Sequence, residues 1–98
     1  MRMMLKITVP VEKGNAAFKD GSLGKTSEAI LNKLKPEAAY FTPMDGERCG
    51  MFFFDLADPS QIAEIVEPLF INLNATTELT PVMNIEDLRK GLGKIAQH

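Results

Sequence analysis

The segment Met51-Phe52-Phe53-Phe54-Asp55-Leu56 constrains the fold more than any other part of the chain. Side chains of an extended strand point alternately to opposite faces, so Met51 and Phe53 share one face while Phe52, Phe54 and Leu56 share the other. A strand that is apolar on both sides does not suit a sheet with one face in water. Such a sheet needs two covers, one from the chain's own helices and one from another source. With 98 residues, the chain has enough length for one core and no second domain.

The remaining elements follow from periodicity and punctuation. Residues 3–9 alternate, with Met3, Leu5, Ile7 and Val9 apolar and Lys6 and Thr8 polar, which predicts a half-buried strand ended by Pro10. Residues 11–21 read as a linker with no more than one helical turn. Leu23, Ile30, Leu31 and Leu34 recur at helical spacing, predicting a helix over residues 22–35 that Pro36 stops. Two strands, over residues 38–44 and 47–56, flank the hairpin signal Asp45-Gly46. Asp58-Pro59 reads as the cap and first position of a helix with the stripe Ile62, Ile65, Val66, Leu69 and Phe70. Pro68 falls inside that stripe and cannot donate to the carbonyl of Glu64, which predicts a break or kink near Glu67. A fourth strand over residues 76–83 precedes Asn84, a candidate cap for a last helix over residues 85–95 weakened by Gly91 and Gly93.

The order is β-α-β-β-α-β plus a C-terminal helix, an α+β sandwich with a four-stranded antiparallel sheet. Right-handed crossovers put the first and third strands in the middle and the second and fourth at the edges. Pro43 and Pro81 agree, because an edge strand tolerates a missing N–H. Three covers could then hide the second apolar face: another copy of the chain, stacked nucleic-acid bases, or the C-terminal helix. A two-fold pair buries the same patch on both copies at once, and a homodimer is the expectation.

Charge and cysteine usage exclude several classes. The net charge of −2 gives no basic field to attract nucleic acid. Lys13, Lys19, Lys25, Lys33 and Lys35 lie in the first half, and no Lys or Arg occurs from Met51 to Ile85. Two solvated surfaces of opposite sign account for that split, and a basic site for an anionic ligand is the alternative. The apolar run at the N-terminus is interrupted at Lys6, too soon for a signal peptide, and no stretch is long enough to cross a bilayer. Cys49 is the one cysteine, which rules out an internal disulfide and fits a cytoplasmic location.

Gly14-Asn15-Ala16-Ala17, Lys19-Asp20-Gly21-Ser22-Leu23-Gly24, Lys35-Pro36-Glu37-Ala38-Ala39-Tyr40-Phe41 and Glu67-Pro68-Leu69-Phe70 resemble segments of a group of small bacterial proteins in the dimeric α/β-barrel superfamily. Subunits of that superfamily have a ferredoxin-like fold, and their sheets face each other to close a barrel. Small monooxygenases and muconolactone-isomerase-like proteins belong to it. The resemblance implies the fold and a homo-oligomer, and it brings no reaction. Members that use histidine for haem or a metal are poorly matched, because the one histidine is His98, the last residue.

The candidate chemistry is sparse. One histidine and one cysteine leave no His/Cys metal set and no nucleophile–histidine pair unless His98 folds inward; no metal or cofactor is expected. Gly21-x-x-Gly24-Lys25-Thr26 ends like a phosphate loop but lacks its glycine spacing, and two glycines at a helix start account for it. Arg48 to Asp55 matches an RNA-recognition strand poorly, since Gly50 and Asp55 stand where aromatic residues belong. A general acid or base would have to be a carboxylate, Tyr40 or a lysine. Glu67, beside Pro68, and Glu78, among Leu79, Val82 and Met83, are the carboxylate candidates, each more readily read as a solvated edge charge. Tyr40, Phe52 and Phe54 are candidate walls of a ligand pocket between sheet and helices, or simply core. Asn74 is a turn residue or a donor to a ligand. Two functions therefore stand: a cofactor-independent enzyme of oxygenase or isomerase type acting on a small, largely apolar molecule, and a non-catalytic small-ligand-binding or assembly protein.

Overall fold

The alternation at the start of the chain becomes the central strand β1 (Arg2–Val9) in a computed structural model that describes residues 1–96. The helices α1 (Val11–Asp20) and α2 (Ser22–Leu34) follow it. The hairpin β2 (Ala38–Met44) and β3 (Glu47–Asp55) comes next. The chain then forms α3 (Gln61–Leu73), β4 (Thr76–Pro81) and α4 (Ile85–Ala96). The sheet is antiparallel with order β2-β3-β1-β4, so β1 and β3 are central and the two proline-bearing strands lie at the edges. This is a βαββαβ ferredoxin-like sandwich with one helix added ahead of α2 and one at the C-terminus. His98 lies outside the described residues.

Register decides which side of β3 meets the helices. Phe54 lies opposite Met3 and Phe52 opposite Leu5, and all four are buried with Ile7, Val9 and Leu56. Against them pack Ala17 of α1, Ile30 and Leu34 of α2, and Ile65, Leu69 and Leu73 of α3. Leu5 and Leu69 are enclosed completely, and burying each is worth about 1.5–3 kcal/mol. Met51 and Phe53 therefore occupy the open face, where both are half-buried beside Met4 of β1 and next to exposed Tyr40 of β2.

Three expectations need correction. Residues 11–21 are not a linker. They form the three-turn helix α1, begun by Pro10, whose carbonyl accepts the N–H of Gly14 at 2.8 Å. The periodicity is weak because α1 packs through Gly14 and Ala17 and leaves Phe18 exposed; small residues permit close approach without a hydrophobic stripe. Pro68 does not break α3, which runs unbroken from Gln61 to Leu73. The Glu64 carbonyl that Pro68 cannot serve accepts instead from the Lys33 ammonium at 3.1 Å, so a side chain of α2 replaces the missing rung. Asp58-Pro59 does not begin α3 directly. It forms a turn in which the Asp58 carboxylate accepts the Ser60 N–H at 3.0 Å and the Gln61 side chain accepts the N–H groups of Ala57 and Asp58, both at 3.1 Å.

One further boundary moves slightly. β4 stops at Pro81, two residues before the expected end. Asn84 and Asp87 then cap α4 reciprocally: Asn84 Oδ1 accepts the Asp87 N–H at 2.8 Å and Asp87 Oδ2 accepts the Asn84 N–H at 3.1 Å. No described helix is long and apolar enough to cross a membrane.

Candidate functional site

The helix layer does not reach the outer edge of the sheet at β2. Between α2 and the β2–β3 hairpin lies a cleft of about 560 Å³, within the size range of small-molecule sites. Val9, Leu23, Ile30, Phe41 and Phe52 form its apolar walls. Phe41 and Phe52 meet edge to face, with ring centroids 5.5 Å apart and planes at 82°.

Gly50 makes that contact possible. It lies opposite Phe41 in the hairpin, and a Cβ at Gly50 would stand 3.2 Å from both Phe41 and Phe52 carbons. The glycine thus leaves room for the Phe41 ring to lean over β3 while remaining 60% exposed, like a flap at the cleft mouth. The sequence carries the signal: residues 48, 50, 52 and 54 share one face by alternation, and an aromatic residue opposite a glycine has unoccupied space beside it.

The polar side of the cleft comes from Thr26 and Ser27 of α2 and from Arg48 of β3. The Ser27 hydroxyl donates to the Leu23 carbonyl at 2.7 Å. Arg48 is half-buried at the end of the hairpin, and its Nη1 donates to Asn15 Oδ1 of α1 at 3.1 Å. That leaves other N–H groups of the planar guanidinium to face an acceptor. Gly14 permits this arrangement, because a Cβ there would stand 2.6 Å from Arg48 Nη1. Helix α1 thus closes over Arg48 at the one position where it has no side chain.

Phe52, buried at 2% exposure, lines the cleft. Phe54 is equally buried but belongs to the core and not to the lining. Tyr40 lies opposite Met51 and projects to the open face of the sheet, 62% exposed. Its neighbour Phe41 occupies the cleft, a one-residue difference that alternation converts into opposite faces. Asn74 is the left-handed C-cap of α3, at φ 50° and ψ 34°, and its N–H donates to the Phe70 carbonyl at 3.0 Å. That is the backbone position where Asn substitutes for Gly.

Glu67 is exposed on α3 beside Pro68, and Glu78 is exposed on β4 directly across from Lys6. Neither carboxylate lines the cleft, and the structure does not bring them together with Phe52. Cys49 is buried, outside the core cluster. Among the described residues no group of three or more His, Cys, Asp and Glu side chains could hold a metal ion. Gly21 and Gly24 lie at the α1–α2 junction, where Asp20 Oδ1 accepts the Ser22 N–H at 2.8 Å. The chain matches no model of a known protein family and no curated protein.

Proposed function

We propose that this protein binds a small, largely apolar organic molecule bearing a carboxylate or comparable acceptor, held in the cleft with Arg48 at its polar end. One observation carries the reading: a mostly apolar cleft of about 560 Å³ with a half-buried arginine at its edge. Pockets of this composition gain affinity from apolar contact and orientation from a few polar groups. Arg48 suits the polar role because its guanidinium is always charged and already oriented by Asn15.

Binding without chemistry is the better-supported half of the two functions, since the carboxylate candidates Glu67 and Glu78 stand away from the lining. The chain pairs with a second copy through the open face of its sheet, as the resemblance to dimeric α/β barrels implies. Support for that comes from half-buried Met4, Met51 and Phe53 beside exposed Tyr40. A free buried thiol at Cys49 accords with a reducing cytoplasm.

The test is a matched panel of apolar carboxylic acids and their neutral amides, followed by methyl and aromatic NMR shifts. Acids should perturb Leu23, Ile30 and Phe41 more strongly than amides, and Arg48→Gln should abolish the difference. Unperturbed signals at millimolar ligand would remove the binding reading. Chemical conversion of a bound acid that survives Glu67→Gln and Glu78→Gln would establish an enzyme with a different reacting group.

A further inference from the structure

Helix α4 is amphipathic, yet among the described residues it has no partner. Ile85, Leu88, Leu92 and Ile95 recur at spacings of three, four and three residues and form one stripe. All four are exposed, from 39% at Leu88 to 71% at Ile95, and no residue of α4 is buried. Because the stripe is unburied, α4 projects from the body. The molecule measures 57 × 28 × 18 Å with a radius of gyration of 15.9 Å, whereas a compact chain of this size has about 13 Å.

An isolated helix of twelve residues is marginal in water, and its stability must come from packing an apolar face. The chain nevertheless invests in its start. Asn84 and Asp87 cap it reciprocally, the Val82 N–H donates to the Arg2 carbonyl at 3.2 Å, and Arg2 Nη1 stands 3.7 Å from Asp87 Oδ2. These contacts set the direction in which α4 leaves β4.

We propose that α4 is an exchanged arm that docks on the open sheet face of a second copy of this chain, along the β2–β3 half. That half presents Tyr40, Met44, Met51 and Phe53, whereas the β4 edge presents Thr76, Glu78 and Thr80. The apolar half lies at the edge opposite the strand from which α4 departs, so a partner's arm reaches it where the chain's own arm is directed away. Charge agrees with the docking. Arg89 flanks the apolar stripe of α4, and the hairpin end of the patch carries Asp45 and Glu47, neither in an ion pair among the described residues, whereas Lys90 and Lys94 lie on the side turned away from the stripe.

Area agrees as well. A twelve-residue helix is about 18 Å long and about 10 Å wide, so docking one side of it covers roughly 280 Å². Counting the acceptor surface and doubling for two-fold symmetry gives roughly 1,100 Å², above the threshold of about 1,000 Å² that a specific interface clears. Reciprocal exchange closes the pair and leaves no free arm. The inference rests on the pairing proposed above and not on the ligand proposal, because the cleft lies on the helix side of the sheet and the arm on the other.

The full-length chain serves for the test, with solution mass measured over a concentration series. Wild type should be dimeric. Leu88→Glu with Leu92→Glu should weaken association at least a hundredfold without lowering the melting temperature of the monomeric body, since α4 contributes nothing to the core. Lys90→Gln, on the polar side, should leave association within threefold. A wild type that is monomeric at millimolar concentration, or a double variant that pairs as tightly as wild type, would overturn the proposal. The acceptor is identified in a mixed pair on a Cys49→Ser background. A spin label at Arg89→Cys in one copy should broaden the Met51 and Met44 methyl signals of an isotope-labelled partner. Broadening confined to the labelled chain's own methyls would assign the helix to its own sheet and equally end the proposal.

Discussion

Replacing Gly14 by alanine sets two effects of similar size against each other. Alanine inside α1 gains about 0.8–1.0 kcal/mol in helix propensity over glycine. The new Cβ would stand 2.6 Å from Arg48 Nη1 and 3.3 Å from Val9 Cγ1. The first contact is with the far end of a flexible side chain, so Arg48 swings aside and forfeits its bond to Asn15. A partly exposed bond of that kind contributes about 0.5–1.5 kcal/mol. Val9 must yield by a few tenths of an ångström, and its branched side chain lies against the core. The sum leaves Gly14→Ala within about 1 kcal/mol of wild type, a shift of no more than about 8 °C in melting temperature for a domain of this size. The informative change is therefore positional. The Arg48 Nε–H and Asn15 side-chain amide signals should move, and the preference of the cleft for acids over amides should fall. Denaturant unfolding and nitrogen–proton correlation spectra measure both. A loss above about 3 kcal/mol would mean that α1 is held rigidly against β3 and cannot yield, and unmoved Arg48 and Asn15 signals would refute the close approach itself.

Other perturbations test the framework. Leu5→Ala, at a position with no exposure between Phe52 and Leu79, should cost about 2–5 kcal/mol in chemical denaturation; a cost under 1 kcal/mol would contradict the register of the sheet centre. Pro68→Ala restores the N–H that the Glu64 carbonyl lacks and should stabilise the chain by about 1–2 kcal/mol, since the helix gain of about 3 is offset by a freer unfolded chain and by the Lys33 bond already in place. In that background Lys33→Met should become nearly neutral, and a double-mutant cycle reads the coupling. The Asp20 carboxyl is held below its ordinary value of 3.8 by hydrogen bonds from the Ser22 side chain and backbone. A depressed carboxyl pKa contributes stability above the unfolded value and loses it as pH falls through the folded one. The Ser22 amide shift should therefore titrate with a midpoint below 3.8, and Asp20→Asn should abolish that titration.

The element order, the edge positions of Pro43 and Pro81 and the capping role of Asn84 were legible in the sequence because each rests on local chemistry: an alternation, a missing N–H, a side chain that mimics a backbone acceptor. Helix α1 was not legible, because its core side consists of Gly14 and Ala17, residues that carry no hydrophobic signal and act only once β3 is beside them. Pro68 misled for a similar reason. Its local effect on the helix ladder is as expected, but the ammonium that fills the gap comes from Lys33, thirty-one positions before Glu64 and on another helix. The cleft was less legible. Alternation put Phe52 and Phe54 on one face without saying that this face meets the helices, and choosing between Tyr40 and Phe41 required the register that sets Phe41 against Gly50.

The cleft and the open face have a common origin in that hairpin. Residues 47–56 put Arg48, Gly50, Phe52 and Phe54 on one side of the sheet and Cys49, Met51 and Phe53 on the other. On the first side the helices cover Phe52 and Phe54 and α1 closes over Arg48, but they stop short of Gly50 and Phe41, and the uncovered stretch becomes the cleft. On the second side none of the described helices buries Met51 and Phe53 fully, and the one amphipathic helix not packed against the body is directed away from them. A strand with large apolar side chains on both faces thus leaves two incomplete surfaces, one concave and one broad. Curvature separates their uses. The concave side, walled by two aromatic rings and a cation, suits a small molecule, whereas the broad side offers area without enclosure, which suits a protein surface. If the arm is lost through Leu88→Glu and Leu92→Glu, ligand preference at the cleft should persist in the monomer; a cleft that loses its ligand together with the pair would tie the two surfaces into one site.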